Sequence, residues 1–134
     1  MPGAGAGPAL RTPATSVSRT FAATPASVRL ARLLLAELLG ASPASADAVL
    51  CLSELATNAV LHSASARPGG TFAVHAEATG SGFRVEVCDA GGAWDARPPD
   101  ENDGHGLAIV AALAARWGVS GSEAARTVWF EIAC

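Results

Sequence analysis

The stretch TFAVHAEATGSGFRVEVCD, residues 71–89, narrows most what this chain can fold into. Two strand-like runs, 71–79 and 82–89, are joined through the Gly-Ser-Gly of 80–82, which is a hairpin signal. In the second run, alternation puts Phe83, Val85 and Val87 on one face and Arg84, Glu86 and Cys88 on the other. The chain is therefore committed to an antiparallel pair, and its other elements must be arranged round it.

Those elements can be read in order. SVSRTFAAT (16–24) reads as a strand. PASVRLARLLLAELLG (25–40) reads as a helix, with Thr24 as N-cap, Pro25 at the first helical position and Gly40 as the stop. A second helix is predicted to start after Ser42, with Pro43 at its first position, and to run to about His62. SASARPGG is a loop, and AGGAWDARPPDEND (90–103) is a long polar one. GHGLAIVAALAARW (104–117) is predicted as a third helix, and GVSG and ARTVWFEIA (125–133) as two closing strands. The order is strand, two helices, two strands, helix, two strands. It predicts an α+β fold, a two-layer α/β sandwich with three helices covering one face of a mixed, mostly antiparallel sheet. Residues 1–15, rich in Gly, Ala and Pro, read as a disordered N-terminal arm, and 16–134 as one domain.

Composition removes whole classes of function. The net charge of −3 argues against nucleic acid as the main partner. All nine basic residues are arginine, and a P-loop needs a lysine to reach the β- and γ-phosphates, so any nucleotide must be bound another way. Cys51, Cys88 and Cys134 are widely spaced, with no zinc pattern and no disulfide framework; they read as reduced thiols of a cytoplasmic protein. The N-terminus lacks the basic and apolar regions of a signal peptide. No apolar run approaches the ~20 residues a membrane span requires.

Three stretches point to chemistry. In CLSELATNAVLHS (51–63), Glu54 and Asn58 lie four residues apart and share a helical face. The core stripe of that helix is Val49, Leu52, Leu55, Ala56 and Ala59. Solvated surface should be polar, yet Leu50, Cys51 and Leu61 flank the pair, so the second surface is a pocket wall or a contact face. On the hairpin strand, Asp89 continues the Phe83/Val85/Val87 row, where a carboxylate needs donors unless it merely caps a turn. Gly91 and Gly92 follow it and permit close approach of a ligand to the backbone. In DGHGLAIV, two glycines opening an apolar helix leave amides that suit an anion. His62 and His75 have no ligand partner at metal spacing and read as structural. Trp94 is a candidate for protein contact.

Taken in order, these boxes resemble the GHKL ATPase superfamily: E-x-x-x-N on a helix, a strand ending D-x-G, a glycine-rich loop into G-x-G-L, and a closing strand with RTVWF. The resemblance covers about 16–133 and implies the Bergerat ATP-binding fold. Within it, LSELATNAVLHS and ARWGV followed by TVWFE look like the small stand-alone branch of bacterial anti-sigma-factor serine kinases. The resemblance implies ATP and Mg²⁺ as cofactors. It matches Glu54 to the catalytic glutamate, Asn58 to the Mg²⁺ ligand and Asp89 to the acceptor for the adenine amino group, with Gly91 in the same turn. Gly104, His105, Gly106 and Leu107 match the phosphate-binding box, and Thr127 a threonine near the adenine.

There are departures from the family pattern. The first glycine box lacks its last glycine, with Ala93 in its place, and His105 stands where a basic residue is common. Asp95, Asp100, Glu101 and Asp103 make the intervening loop acidic, with only Arg97 to oppose them, which suits a basic partner surface. The implied function is phosphorylation of an anti-sigma-factor antagonist on serine, with a sigma factor as a further partner and a homodimer allowed. The alternative is a nucleotide-dependent switch that sequesters a partner without transfer.

Overall fold

The computed structural model describes residues 16–62, 67–91, 107–122 and 124–133. Five strands and three helices follow one another as β1 (Ser16–Ala22), α1 (Pro25–Leu39), α2 (Ser45–His62), β2 (Thr71–Thr79), β3 (Gly82–Asp89), α3 (Leu107–Leu113), β4 (Arg116–Gly121) and β5 (Arg126–Ala133). The strands form one sheet in the order β1-β2-β3-β5-β4. Every pairing is antiparallel. The fold is α+β, as the order of elements implied, and the arm at 1–15 lies outside the described residues.

The sheet has one apolar and one polar face because its strands alternate. Phe72, Val74, Ala76, Val85, Val87, Val128, Phe130 and Ile132 are all buried on the side the helices cover. Phe21 of the edge strand β1 stacks on Phe72, with ring centroids 5.5 Å apart. The opposite face carries a charged lattice. Arg84 reaches Glu86 at 3.1 Å and Glu131 at 2.9 Å, and lies 4.2 Å over the Trp129 ring. Arg116 binds Glu131 from the other side, and His75 is hydrogen-bonded to Ser18 and Glu77.

Helix α1 starts where its caps dictate: the Thr24 side chain accepts from the Ser27 N–H, and Pro25 opens the helix. Helix α2 starts later than the proline suggested. The Ser42 hydroxyl accepts from the Ala44 N–H at 3.2 Å and its carbonyl from the Ser45 N–H at 3.0 Å, so Pro43 sits in a turn. Helix α3 ends at Leu113, short of the expected Trp117. Arg116 and Trp117 instead extend β4, because they find ladder partners in Glu131 and Phe130. Long-range pairing there overrides local helical pattern.

Candidate functional site

Helix α2 is the central helix and packs against α1, α3 and the sheet. That explains why its apolar residues run almost all the way round. Ala48, Cys51, Leu52, Leu55, Ala56, Ala59 and Val60 are buried. Asn58 is buried with them at 6% exposure, and Glu54, one turn earlier, is half-buried. Cys51 belongs to the core and not to a rim. Burial, reinforced by Asp47 and Glu54, pushes its thiol up to about 11, so it stays protonated. Only Leu50 and Leu61 of the flanking set are exposed.

Strand β3 runs through Asp89, and the register sets Asp89 directly opposite Arg126 of β5. Both side chains lie on the core face. The Asp89 side chain is 5% exposed and that of Arg126 8%. A donor and a cation meet the need that burial creates. The Gly91 N–H donates to Asp89 Oδ1 at 2.6 Å, and Arg126 Nη2 stands 3.4 Å from the same oxygen. Arg126 Nη2 also donates to the Gly91 carbonyl at 3.1 Å. Gly91 adopts φ 75°, where a Cβ is strained, so the turn that presents its N–H to Asp89 favours glycine. Burial pushes the Asp89 carboxyl above its ordinary range, and the Gly91 N–H and Arg126 pull it partly back. Asp89 thus closes its turn and also stands in the core-facing row.

Thr127 stands next to Arg126 on β5 and faces the other way. It pairs with Cys88, and its hydroxyl lies 3.2 Å from the Cys88 sulfur on the polar face of the sheet. The period of two puts Arg126 and Val128, not Thr127, on Asp89's face. Leu107 is buried at the start of α3, which packs on α2. Gly104, His105 and Gly106 lie outside the described residues, as does Trp94.

A model of the histidine kinase-like ATPase domain matches residues 21–132. The chain belongs to that family. Its domains bind ATP, and the missing lysine is in keeping with a nucleotide site of this type. The structure is also similar to that of the RsbU and RsbW domains of Rv1364c from Mycobacterium tuberculosis, at TM-score 0.70 and 26% identity. The match takes in 88% of this chain and 32% of that one, so this chain spans about a third of its length. No protein of curated function matches the sequence.

Within this ATPase domain, sequence reasoning passed over Arg126. The signal was present in the alternation of β5, which sets Arg126 in the row of Val128, Phe130 and Ile132. Pairing it with Asp89 required the register between two strands far apart in sequence. Among the described residues no three His, Cys, Asp or Glu side chains cluster as a metal site. None of the described helices is long and apolar enough to cross a membrane.

Proposed function

We propose that this ATPase-family chain is a regulatory protein serine kinase of the anti-sigma-factor type, which transfers the γ-phosphoryl group of ATP to a serine of an antagonist protein. One observation carries the reading: a carboxylate buried at the end of the core-facing row of β3, held by a glycine turn, on the sheet face against which the Glu54–Asn58 helix packs. A carboxylate so placed suits an amino group of a base. The likeness to a structure that contains an RsbW domain supports the branch.

ATP supplies the phosphoryl group when bound. Asp89 would accept from the base amino group. Asn58 would hold Mg²⁺ through its side-chain oxygen, and one protein ligand suits an ion that keeps waters and takes the rest of its shell from phosphate. Glu54 would orient the attacking serine hydroxyl and take its proton. A sigma factor would be the second partner, its access governed by the nucleotide. The departures at Ala93 and His105 favour a second reading, a nucleotide-dependent switch without transfer.

The test is incubation of the full chain with Mg²⁺, γ-labelled ATP and candidate antagonists. Label on a partner serine supports the kinase. Nucleotide-dependent partner binding with no label supports the switch. Absence of any nucleotide binding would sink both.

A further inference from the structure

Asp89 and Arg126 are two opposite charges on a sheet face whose other buried residues are apolar. Their contacts are uneven in a telling way. The Gly91 N–H, at 2.6 Å, and Arg126 Nη2, at 3.4 Å, both address Oδ1 of Asp89. Among the described residues none is hydrogen-bonded to Oδ2. The same Nη2 donates to the Gly91 carbonyl at 3.1 Å, so one nitrogen ties the carboxylate to the turn that follows it.

Resting on the nucleotide reading above, we propose that Arg126 is the positioning residue of the base pocket: it keeps Asp89 ionised and fixed through Oδ1, leaving Oδ2 to accept from the exocyclic amino group of a purine. A carboxylate this deeply buried is otherwise driven to take a proton. Protonated, it would present an O–H to an amino group that is itself a donor. A guanidinium suits the task, because it stays charged when buried and can serve a carboxylate and a carbonyl together. The arrangement also discriminates between bases. A 6-amino purine offers Oδ2 a hydrogen, whereas a 6-oxo purine sets an oxygen against it.

Arg126 is the one charged side chain acting on Asp89, and Asp89 the one acting on Arg126, among the described residues. Helix α2, packed over β3 and β5, carries Asp47 and Glu54, which act on its own Cys51 and are not among the groups acting on either member of the pair. Helix α3 has no titratable side chain. On β3 and β5, Arg84, Glu86 and Glu131 point to the other face.

The experiment uses the full chain, wild type, R126Q and R126K. ADP and inosine diphosphate binding is followed by calorimetry from pH 5 to 8, and the Asp89 carboxyl is titrated by ¹³C NMR without nucleotide. Wild type should prefer ADP and lose it as pH falls through the Asp89 titration. R126Q should bind ADP roughly tenfold or more weakly at neutral pH, the scale of a lost charge partner at a buried carboxylate. Its Asp89 should titrate at higher pH, and R126K should restore both properties in large part. R126Q with wild-type ADP affinity and an unmoved Asp89 titration overturns the role of Arg126. Tighter ADP binding by R126Q also overturns it, because Arg126 would then be a plug. Should R126Q fail to fold, the wild-type pH profile decides: ADP affinity that does not follow the Asp89 titration refutes the proposal. A wild type that binds no ADP at any pH overturns the nucleotide reading itself.

Discussion

Asp89→Asn should cost the fold little or nothing while removing base binding. The attraction at stake is large in gross terms. A unit-charge pair at the observed 3.4 Å is worth about 5 kcal/mol at an effective dielectric near 20. Taking each ion out of water costs several kcal/mol, so the two effects are of similar size. The Asp89 carboxyl decides between them. It is raised above its ordinary value of 3.8 because burial outweighs the help of the Gly91 N–H and Arg126. A folded-state value above the unfolded one means that the folded chain holds the proton more tightly. Ionising Asp89, as pH rises from the unfolded value through the folded one, therefore subtracts stability. Asparagine fixes the neutral form, and its Oδ1 can still accept from the Gly91 N–H. We expect a change within about 1 kcal/mol of zero, or a gain, which is about 4 °C in Tm for a domain of this size. Scanning calorimetry at pH 7 measures that, and an ADP titration of the same variant should show affinity largely lost. A Tm more than about 8 °C below wild type, with ADP affinity unchanged, would refute the reasoning and make Asp89 a purely structural ion.

Four further variants have outcomes set by the same structure. Glu54→Ala should leave nucleotide affinity near wild type and slow phosphoryl transfer by about 10²–10⁴-fold, whereas Asn58→Ala should weaken Mg²⁺-dependent binding and transfer together; parallel calorimetry and label transfer separate the two. Phe130→Ala, at a fully buried central position, should lose about 3–5 kcal/mol in urea unfolding. Hydrogen bonds from Arg116 and Arg84 hold the Glu131 carboxyl below its ordinary 4.5. Its contribution is therefore present above that value and lost as pH falls through the lower, folded one. The Tm gap between wild type and Glu131→Gln should accordingly close on acidification.

What could be read from the sequence was whatever is local. Thr24, Pro25 and Gly40 act within one turn of α1, and the Gly-Ser-Gly hairpin acts between neighbours, so both were legible. The core-facing position of Asp89 was equally so, because it follows from a period of two within one strand. What was not legible depends on contacts between distant segments. Arg116 and Trp117 continue a helical pattern, and only their ladder with β5 makes them strand. Cys51 looked like the rim of a pocket because one helix alone does not reveal that it packs against α1 and α3 on its flanks. Thr127 comes from the family pattern alone, which carries no register. The register of β5 against β3 sets it on the polar face and brings Arg126 opposite Asp89.

The most direct test of the central claim is a titration of the ¹⁵N-labelled chain with ADP and Mg²⁺, followed by amide and side-chain shifts. The account predicts that saturable changes centre on Asp89, Gly91, the Arg126 guanidinium, Asn58 and Glu54, and spare the Arg84–Trp129–Glu131 lattice on the polar face. Saturable changes confined to that polar face, or none anywhere at millimolar ADP, would contradict it.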